Sequence, residues 1–209
     1  MISNCTGVIL AGGLATRFSG QKKALIQVGG KRILDRLYAV YRCLFEEIIL
    51  VANDPSTYAD WDLAVVSDIF DCRSSLTGLH AGLFYLRTPY AFFAACDAPF
   101  VRAELIRGLI ESIRPGDDVV IPQTDAGFQP LCAVYSKRCL APVERLLNKG
   151  EFRIRSFFDR VKVHPVPETR LRELDPDLRS FLNINTPEDL CLAEEILARQ
   201  KPLSEENAS

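Results

Sequence analysis

The chain has 209 residues, enough for one domain with a sizeable core, and its 25 Lys and Arg nearly balance 27 Asp and Glu, for a net charge of −2. That balance disfavours a protein that coats nucleic acid or a membrane surface, and 48% hydrophobic residues is ordinary for a globular chain. No apolar run approaches the roughly 20 residues of a membrane span, and the opening Met1-Ile2-Ser3-Asn4 lacks the positive charge of a signal peptide.

A strand over 6–11 opens the pattern. Val8, Ile9 and Leu10 run without a polar interruption, as in a strand buried on both faces. The strand leads straight into Gly12-Gly13, then Arg17, Gly20, Lys22, Lys23 and Gly29-Gly30-Lys31. Glycines without a Cβ let the backbone turn sharply and present main-chain N–H groups as an anion-binding concavity. Arg17 suits phosphate as a flat fork and Lys23 as a point charge. The loop is not a P-loop, which needs four residues between its first glycine and Gly-Lys-Ser/Thr, nor the Gly-x-Gly-x-x-Gly of a dinucleotide fold. A Gly-Gly pair alone fits an ordinary strand-to-loop turn; the whole set from Leu10 to Lys23 points to a nucleoside triphosphate.

Ile33, Leu34, Leu37, Val40, Tyr41 and Leu44 recur at helical spacing and predict a helix over 33–45. A strand at 48–52, a turn at 53–56 and a short strand at 64–66 follow, the last ending at Ser67-Asp68. A helix over 76–86 precedes a strand at 91–95, which ends at Cys96-Asp97. The second half reads as a helix over 102–113, a strand at 118–122, and an extended segment at 129–135 after a turn at Gly127. Helices at 137–147 and around 154–158, a strand at 161–166 and a final helix over 187–199 complete it. Thr186 marks the start of that last helix as its N-cap, with Pro187 at the first helical position and Glu188-Asp189 at the positive end of the dipole. The polar residues 201–209 read as a disordered tail. Alternating strands and helices, with no internal repeat or linker, give an α/β fold with a mainly parallel sheet, as one domain over 1–200.

Asp97 and Asp68 stand where strands end. In open parallel sheets ligands bind beyond the carboxyl ends of the strands, the side from which the glycine loop emerges. A triphosphate needs a divalent cation, and Mg²⁺ is held by one or two carboxylates plus phosphate oxygens, so Asp97 is the leading metal ligand. The competing reading, an N-cap for the helix at 102–113, suits Asp97 less well because Pro99 and its neighbours intervene. Asp68 is balanced between a solvated turn residue and a contact to base or ribose. His80 reads as a partly buried helix residue. Gly78 and Gly82 share one helix face, where small residues admit either a neighbouring strand or a ligand. Seven cysteines, at 5, 43, 72, 96, 132, 139 and 191, include no Cys-x-x-Cys, so neither a disulfide framework nor a zinc knuckle is favoured and a reducing cytoplasm is the simplest setting. His80 and His164 form no ligand cluster, and the Gly-x-Ser-x-Gly of a serine hydrolase is absent.

With these residues in hand, the chain resembles the molybdenum cofactor guanylyltransferase family over most of its length. Gly7 to Gly13, Arg17-Phe18, Gly20, Lys23-Ala24-Leu25 and Gly29-Gly30-Lys31 are similar to the family's opening motif. Leu76 to Leu83 is similar to its middle motif, and Cys96-Asp97-Ala98-Pro99-Phe100 to its metal-binding motif. Gln129 to Tyr135 and Phe181 to Asp189 resemble its two late motifs. The opening motif alone marks the wider nucleotidyltransferase superfamily; the five in order are specific. The resemblance implies a Rossmann-like nucleotide-diphospho-sugar transferase type fold with helices on both faces of the sheet.

It further implies GTP on Leu10, Ala11, Gly12, Gly13 and Lys23, with Asn53 and Asp68 toward the guanosine end. Asp97 would bind Mg²⁺, with Mn²⁺ as an alternative, and Lys23, Arg17 and Asp97 would form the catalytic set. Arg17, Gly20, Gly78, Asn183 and Asn185 would face molybdopterin. Leu-Ala-Gly-Gly, in place of the Ala-Ala-Gly of cytidylyl relatives, points to guanine. The chain departs from the family at Ser19, usually Gly; at Ser74-Ser75, usually Gly-Pro; and at Val51, often Asn, with Asn53 two residues on. The activity implied is metal-dependent transfer of GMP from GTP to molybdopterin, without a covalent enzyme intermediate. Its rivals are a nucleotidyltransferase using CTP or a sugar phosphate, and a non-catalytic nucleotide-binding relative. GTP and molybdopterin are the expected partners, with molybdoenzyme-maturation proteins receiving the product; no nucleic acid and no membrane is expected.

Overall fold

The computed structural model describes residues 1–12 and 20–200. Gly13 and Arg17, singled out in the sequence, and the tail at 201–209 lie outside them. In chain order the elements are β1 (Cys5–Leu10), β2 (Gln27–Val28), β3 (Lys31–Arg32), α1 (Ile33–Arg42), β4 (Ile48–Val51), β5 (Ala64–Val66), α2 (Ser75–Tyr85) and β6 (Tyr90–Ala95). Then come α3 (Ala103–Glu111), β7 (Val119–Thr124), β8 (Gly127–Phe128), β9 (Cys132–Ser136), α4 (Leu140–Leu147), β10 (Val163–Pro167), α5 (Glu168–Leu174) and α6 (Pro187–Gln200).

The uninterrupted apolar strands are explained by what lies on each side of them. Along β1, Val8 and Leu10 join a cluster with Leu76, Leu79 and Leu83 of α2 and Val143 and Leu146 of α4. Ile9, between them, points the other way, to a cluster with Leu34, Leu37 and Tyr41 of α1, Leu105 and Leu109 of α3 and Leu171 of α5. Period-two alternation thus feeds two cores, one on each face of the sheet, and the molecule is a three-layer α/β/α stack.

The main sheet runs β10-β7-β9-β6-β1-β4-β5, with β8 paired to β7. β1 is parallel to both β4 and β6, and β4 to β5, whereas β9 is antiparallel to β6 and to β7. Two glycines owe their presence to packing. A Cβ on Gly7 would lie 2.5 Å from the rings of Phe45 and Tyr41. A Cβ on Gly82 would lie 2.5 Å from Phe93 and 2.9 Å from Val8, so this face of α2 is small in order to approach the sheet.

Several expectations need correction. The helix expected at 137–147 begins as a 3₁₀ turn, Lys137–Cys139, before α4, and the segment around 154–158 is a 3₁₀ helix, Ile154–Arg160. α5 has no counterpart in the sequence reading because Leu171 is its one buried residue, so it carries no apolar stripe. The β2–β3 hairpin is also new: Gly29 (φ 59°) and Gly30 (φ 73°) form its two-residue turn, which requires positive φ at both positions. Gly29 N–H donates to Glu194 Oε1 at 2.8 Å, seating the hairpin on α6. This second Gly-Gly pair therefore belongs to the scaffold.

Candidate active site

Because β1, β4 and β6 are adjacent and parallel, Leu10, Val51 and Ala95 sit side by side at one edge. The residues after each strand are thrown together there. Leu10, Gly12, Lys23, Asp68, Gly78 and Asp97 line a cavity of about 330 Å³, with Arg73, Ser74, Ser75, Cys96 and Leu131 completing the wall. Ala11, between Leu10 and Gly12, is buried and does not line the cavity; its N–H donates to Val51 O at 2.9 Å.

Lys23 lies on a 3₁₀ turn, Lys23–Leu25, behind the glycine loop. Its Nζ donates to Asp97 Oδ2 at 2.9 Å and to Asn185 Oδ1 at 2.5 Å. Both side chains of the Lys23–Asp97 pair are 17% exposed, so their attraction is screened less than that of a surface pair. Asp97 is not a helix cap: the N-cap position of α3 is Arg102, five residues on. Instead Asp97 O accepts from Ile184 N–H at 2.8 Å, pulling the segment before α6 to the site. That segment is fixed by a reciprocal cap. Asp189 N–H donates to Thr186 Oγ1, and Asp189 Oδ2 accepts from the N–H groups of Asn185 and Thr186. Asn185 is thereby delivered to Lys23. Asn183 stays exposed and does not line the cavity.

Gly20 is in the left-handed region (φ 78°) and is exposed. Gly78 lines the cavity, and a Cβ there would lie 3.4 Å from Leu10 Cδ2, whereas Gly82, one turn on, is turned to the sheet. Asn53 and Asp68 form a reciprocal pair: Asn53 Nδ2 donates to Asp68 Oδ2 at 2.8 Å and Asp68 N–H donates to Asn53 Oδ1 at 2.9 Å. Asn53 lines a neighbouring cavity of about 400 Å³ shared with Asp68 and Arg73. Its amide is occupied in setting Asp68, so it stands behind Asp68.

Several features were not legible beforehand. Arg73 lines both cavities and makes no ion pair or side-chain hydrogen bond among the described residues. Nothing in its local pattern separates it from a surface arginine. Ser74 is the N-cap of α2, accepting from Thr77 N–H at 3.0 Å, which accounts for one of the serines that depart from the family pattern. Cys96 lines the cavity, but burial pushes its thiol up to about 12, so it is a neutral wall and no nucleophile. His80, expected as a partly buried helix residue, does lie in α2 and is fully buried, with Nε2 3.1 Å from Glu144 Oε1 and its ring edge-on to Phe70. Beside the main cavity lies a groove of about 680 Å³ that shares Ser75 and Leu131 with it and is lined by Phe152, Arg153 and Arg155.

The carboxylates suit a cation. Among the described residues, Asp97 Oδ1 and Asp68 Oδ1 are buried atoms without a hydrogen-bond partner, a costly state for a carboxylate oxygen. Among the described residues no group of three or more His, Cys, Asp and Glu gathers as a protein-made metal cage. One protein carboxylate completed by phosphate oxygens and water is the ligand set typical of Mg²⁺.

Residues 7–166 match the family model described as a MobA-like NTP transferase domain. The chain is 43% identical over 189 residues to the molybdenum cofactor guanylyltransferase of Desulfosudis oleivorans, covering 90% of this chain and 94% of that one. It is 35% identical to a probable molybdenum cofactor guanylyltransferase of Natranaerobius thermophilus, across 95% of this chain and 99% of that one. Among solved structures, molybdopterin-guanine dinucleotide biosynthesis protein A from Archaeoglobus fulgidus superposes with a TM-score of 0.83 at 30% identity, covering 93% of this chain and 99% of that one.

Proposed function

The chain belongs to the MobA-like NTP transferase family, and from that premise we propose that it transfers GMP from GTP to molybdopterin and releases pyrophosphate. The observation that carries this reading is the meeting of Lys23, Asp97 and Gly12 on one cavity at the carboxyl edge of the sheet. In the reaction, an oxygen of the terminal phosphate of molybdopterin attacks the α-phosphorus of GTP. The bond from that phosphorus to the bridging oxygen of the β-phosphate breaks, and the electron pair leaves with pyrophosphate.

The nucleophile is already an anion, so no protein base is needed, and the enzyme's task is to bring two polyanions together in line. Lys23 and Arg73 offset that repulsion as positive charges on the cavity wall. Asp97, through Oδ1, would hold the divalent cation, Mg²⁺ or Mn²⁺. The cation supplies charge neutralisation at the triphosphate when bound. Asp68, held by Asn53, stands toward the guanosine end. The groove with Arg153 and Arg155, continuous with the main cavity through Ser75 and Leu131, offers cations and an aromatic ring, Phe152, to a phosphorylated heterocycle such as molybdopterin. Arg17, Gly13, Gly20 and Asn183 are proposed for phosphate and acceptor contacts on the family resemblance.

Residues 1–200 are proposed to form one catalytic domain working in the cytoplasm. No helix among the described residues is long and apolar enough to cross a membrane. Pyrophosphate release on mixing protein, GTP, Mg²⁺ and molybdopterin tests the reading. Release that requires both GTP and molybdopterin, and falls away when CTP, ATP or UTP replaces GTP, is the expected result. Release with CTP alone among the nucleotides, or none with any of them, would overturn it.

A further inference from the structure

Lys22 and Lys23 are neighbours with opposite surroundings. Lys22 stands in extended backbone (φ −69°, ψ 127°) at the start of the turn that carries Lys23. Lys22 is the residue from which that turn starts, so a tether on its side chain fixes the backbone from which the Lys23 side chain departs. Lys22 Nζ donates to Asp54 Oδ2 at 2.5 Å and to Thr57 Oγ1, and lies 5.5 Å above the ring of Tyr58. These partners belong to one 3₁₀ turn, Pro55–Tyr58, and the residue before it. The acceptor is organised before Lys22 arrives: the hydroxyls of Ser56 and Thr57 donate to Asp54 at 2.6 and 2.7 Å. Lys22 and those hydroxyls hold the Asp54 carboxyl well below the usual carboxylate range.

The same segment touches two further parts of the cavity. Tyr58 is buried, and its hydroxyl donates to Ala11 O at 3.4 Å, where β1 gives way to the glycine loop. Asn53, beside Asp54, holds Asp68. The segment over 53–58 therefore contacts both ends of the glycine loop and the residue at its far wall.

We propose that Lys22 is a positioning residue: seated among Asp54, Thr57 and Tyr58, it aims Lys23 at Asp97, and the 53–58 segment is the bracket that fixes the spacing of the cavity walls. The aim of Lys23 is independent of which nucleotide binds; the effect on GTP rests on the function proposed above. Lys22 is 28% and Asp54 52% exposed, so the pair contributes through geometry more than through raw Coulomb energy.

Trace acetylation of lysines, read residue by residue by mass spectrometry on the full chain, tests this without substrate. Lys23 should react slowly in the parent protein and about threefold faster in Lys22→Met and Asp54→Asn, with the exchanged pair Lys22→Asp/Asp54→Lys returning toward the parent rate. Lys137, whose Nζ donates to Leu86 O, serves as the distant control and should not change. The same variants should raise the KM for GTP about fivefold while changing kcat less than about twofold, as expected for lost positioning worth about a factor of ten or less. Unchanged Lys23 reactivity in both single variants would overturn the proposal, and so would an equal rise at Lys137, which would mean general loosening. Faster Lys23 labelling with unaltered GTP binding would support the positioning role and count against the GTP reading.

Discussion

The two edges of this one sheet treat buried charge in opposite ways. At the amino edge, Asp117 is 1% exposed and saturated: Lys162 Nζ is 3.0 Å from Oδ1, and His164 Nδ1 and the Arg114 N–H each lie 3.0 Å from Oδ2. Thr6 is closed in the same manner, donating to Glu47 at 2.9 Å and meeting the Thr88 hydroxyl at 2.8 Å. At the carboxyl edge, among the described residues, Asp97 and Asp68 each keep a buried oxygen without a partner and Arg73 has no counter-ion. Burying polar groups without partners costs free energy, so a fold tolerates it where a ligand repays it. His80 Nδ1, on α2 toward Glu144, is a further buried atom without a partner among the described residues; at the two edges themselves, saturation goes with scaffold and incomplete pairing with the candidate site.

The sharpest way to break this contrast is Asp97→Asn, which keeps the shape and removes the charge. Turnover measured as pyrophosphate release should fall about 10² to 10³-fold with the folded state retained. Near-parental turnover in saturating Mg²⁺ would sink the metal assignment.

The saturated edge should fail differently. Asp117→Ala deprives Lys162, His164 and the Arg114 N–H of their shared partner and should cost about 3 kcal/mol of unfolding free energy by urea titration. Activity at low temperature should survive in this variant. If turnover fell while stability held, the division of labour between the edges would be wrong.

Acid should act through the same residue. Burial pushes the Asp117 carboxyl up, but Lys162, the Arg114 N–H and His164 outweigh it and hold it below its ordinary value. An acid depressed in the folded state stabilises the protein above its unfolded value of about 4 and loses that contribution as pH falls through the lower folded value. The Tm should therefore drop below about pH 4, and Asp117→Asn should flatten that drop. An unchanged acid profile in the variant would remove Asp117 from the account.

At the open edge, Arg73→Ala should raise the KM for GTP about fivefold to tenfold and leave the Tm in place, since the side chain pairs with nothing described in the fold. A lower Tm would reclassify Arg73 as structural. The smallest effect is expected from Ser74→Ala, which removes the α2 cap and should cost about 1 kcal/mol. A larger loss of turnover than of stability there would give Ser74 a role in binding as well as in capping.

Much of this was written locally. The apolar run Val8-Ile9-Leu10 specified a buried central strand because each residue has a core to enter on one face or the other. Thr186-Pro187-Glu188-Asp189 specified the start of α6 because caps act within one turn. Asp97 and Lys23 could be singled out because a carboxylate at a strand end and a cation after a glycine loop are local chemistry. What the chain did not reveal were α5, with a single buried residue, and the different tasks of its glycines. Gly29 and Gly30 shape a hairpin docked on α6, Gly82 lets α2 approach the sheet, and Gly78 opens on the cavity. Nor did the sequence show that Lys22 and Lys23, adjacent and of one type, have different partners, the first tied to Asp54 and the second to Asp97. Those choices depend on partners 32 and 74 residues away, brought near by strand order and register. Propensity, capping and alternation act over a few residues and so are legible in the chain; pairing, burial and charge compensation are properties of neighbours in space, and only the packed sheet determines them.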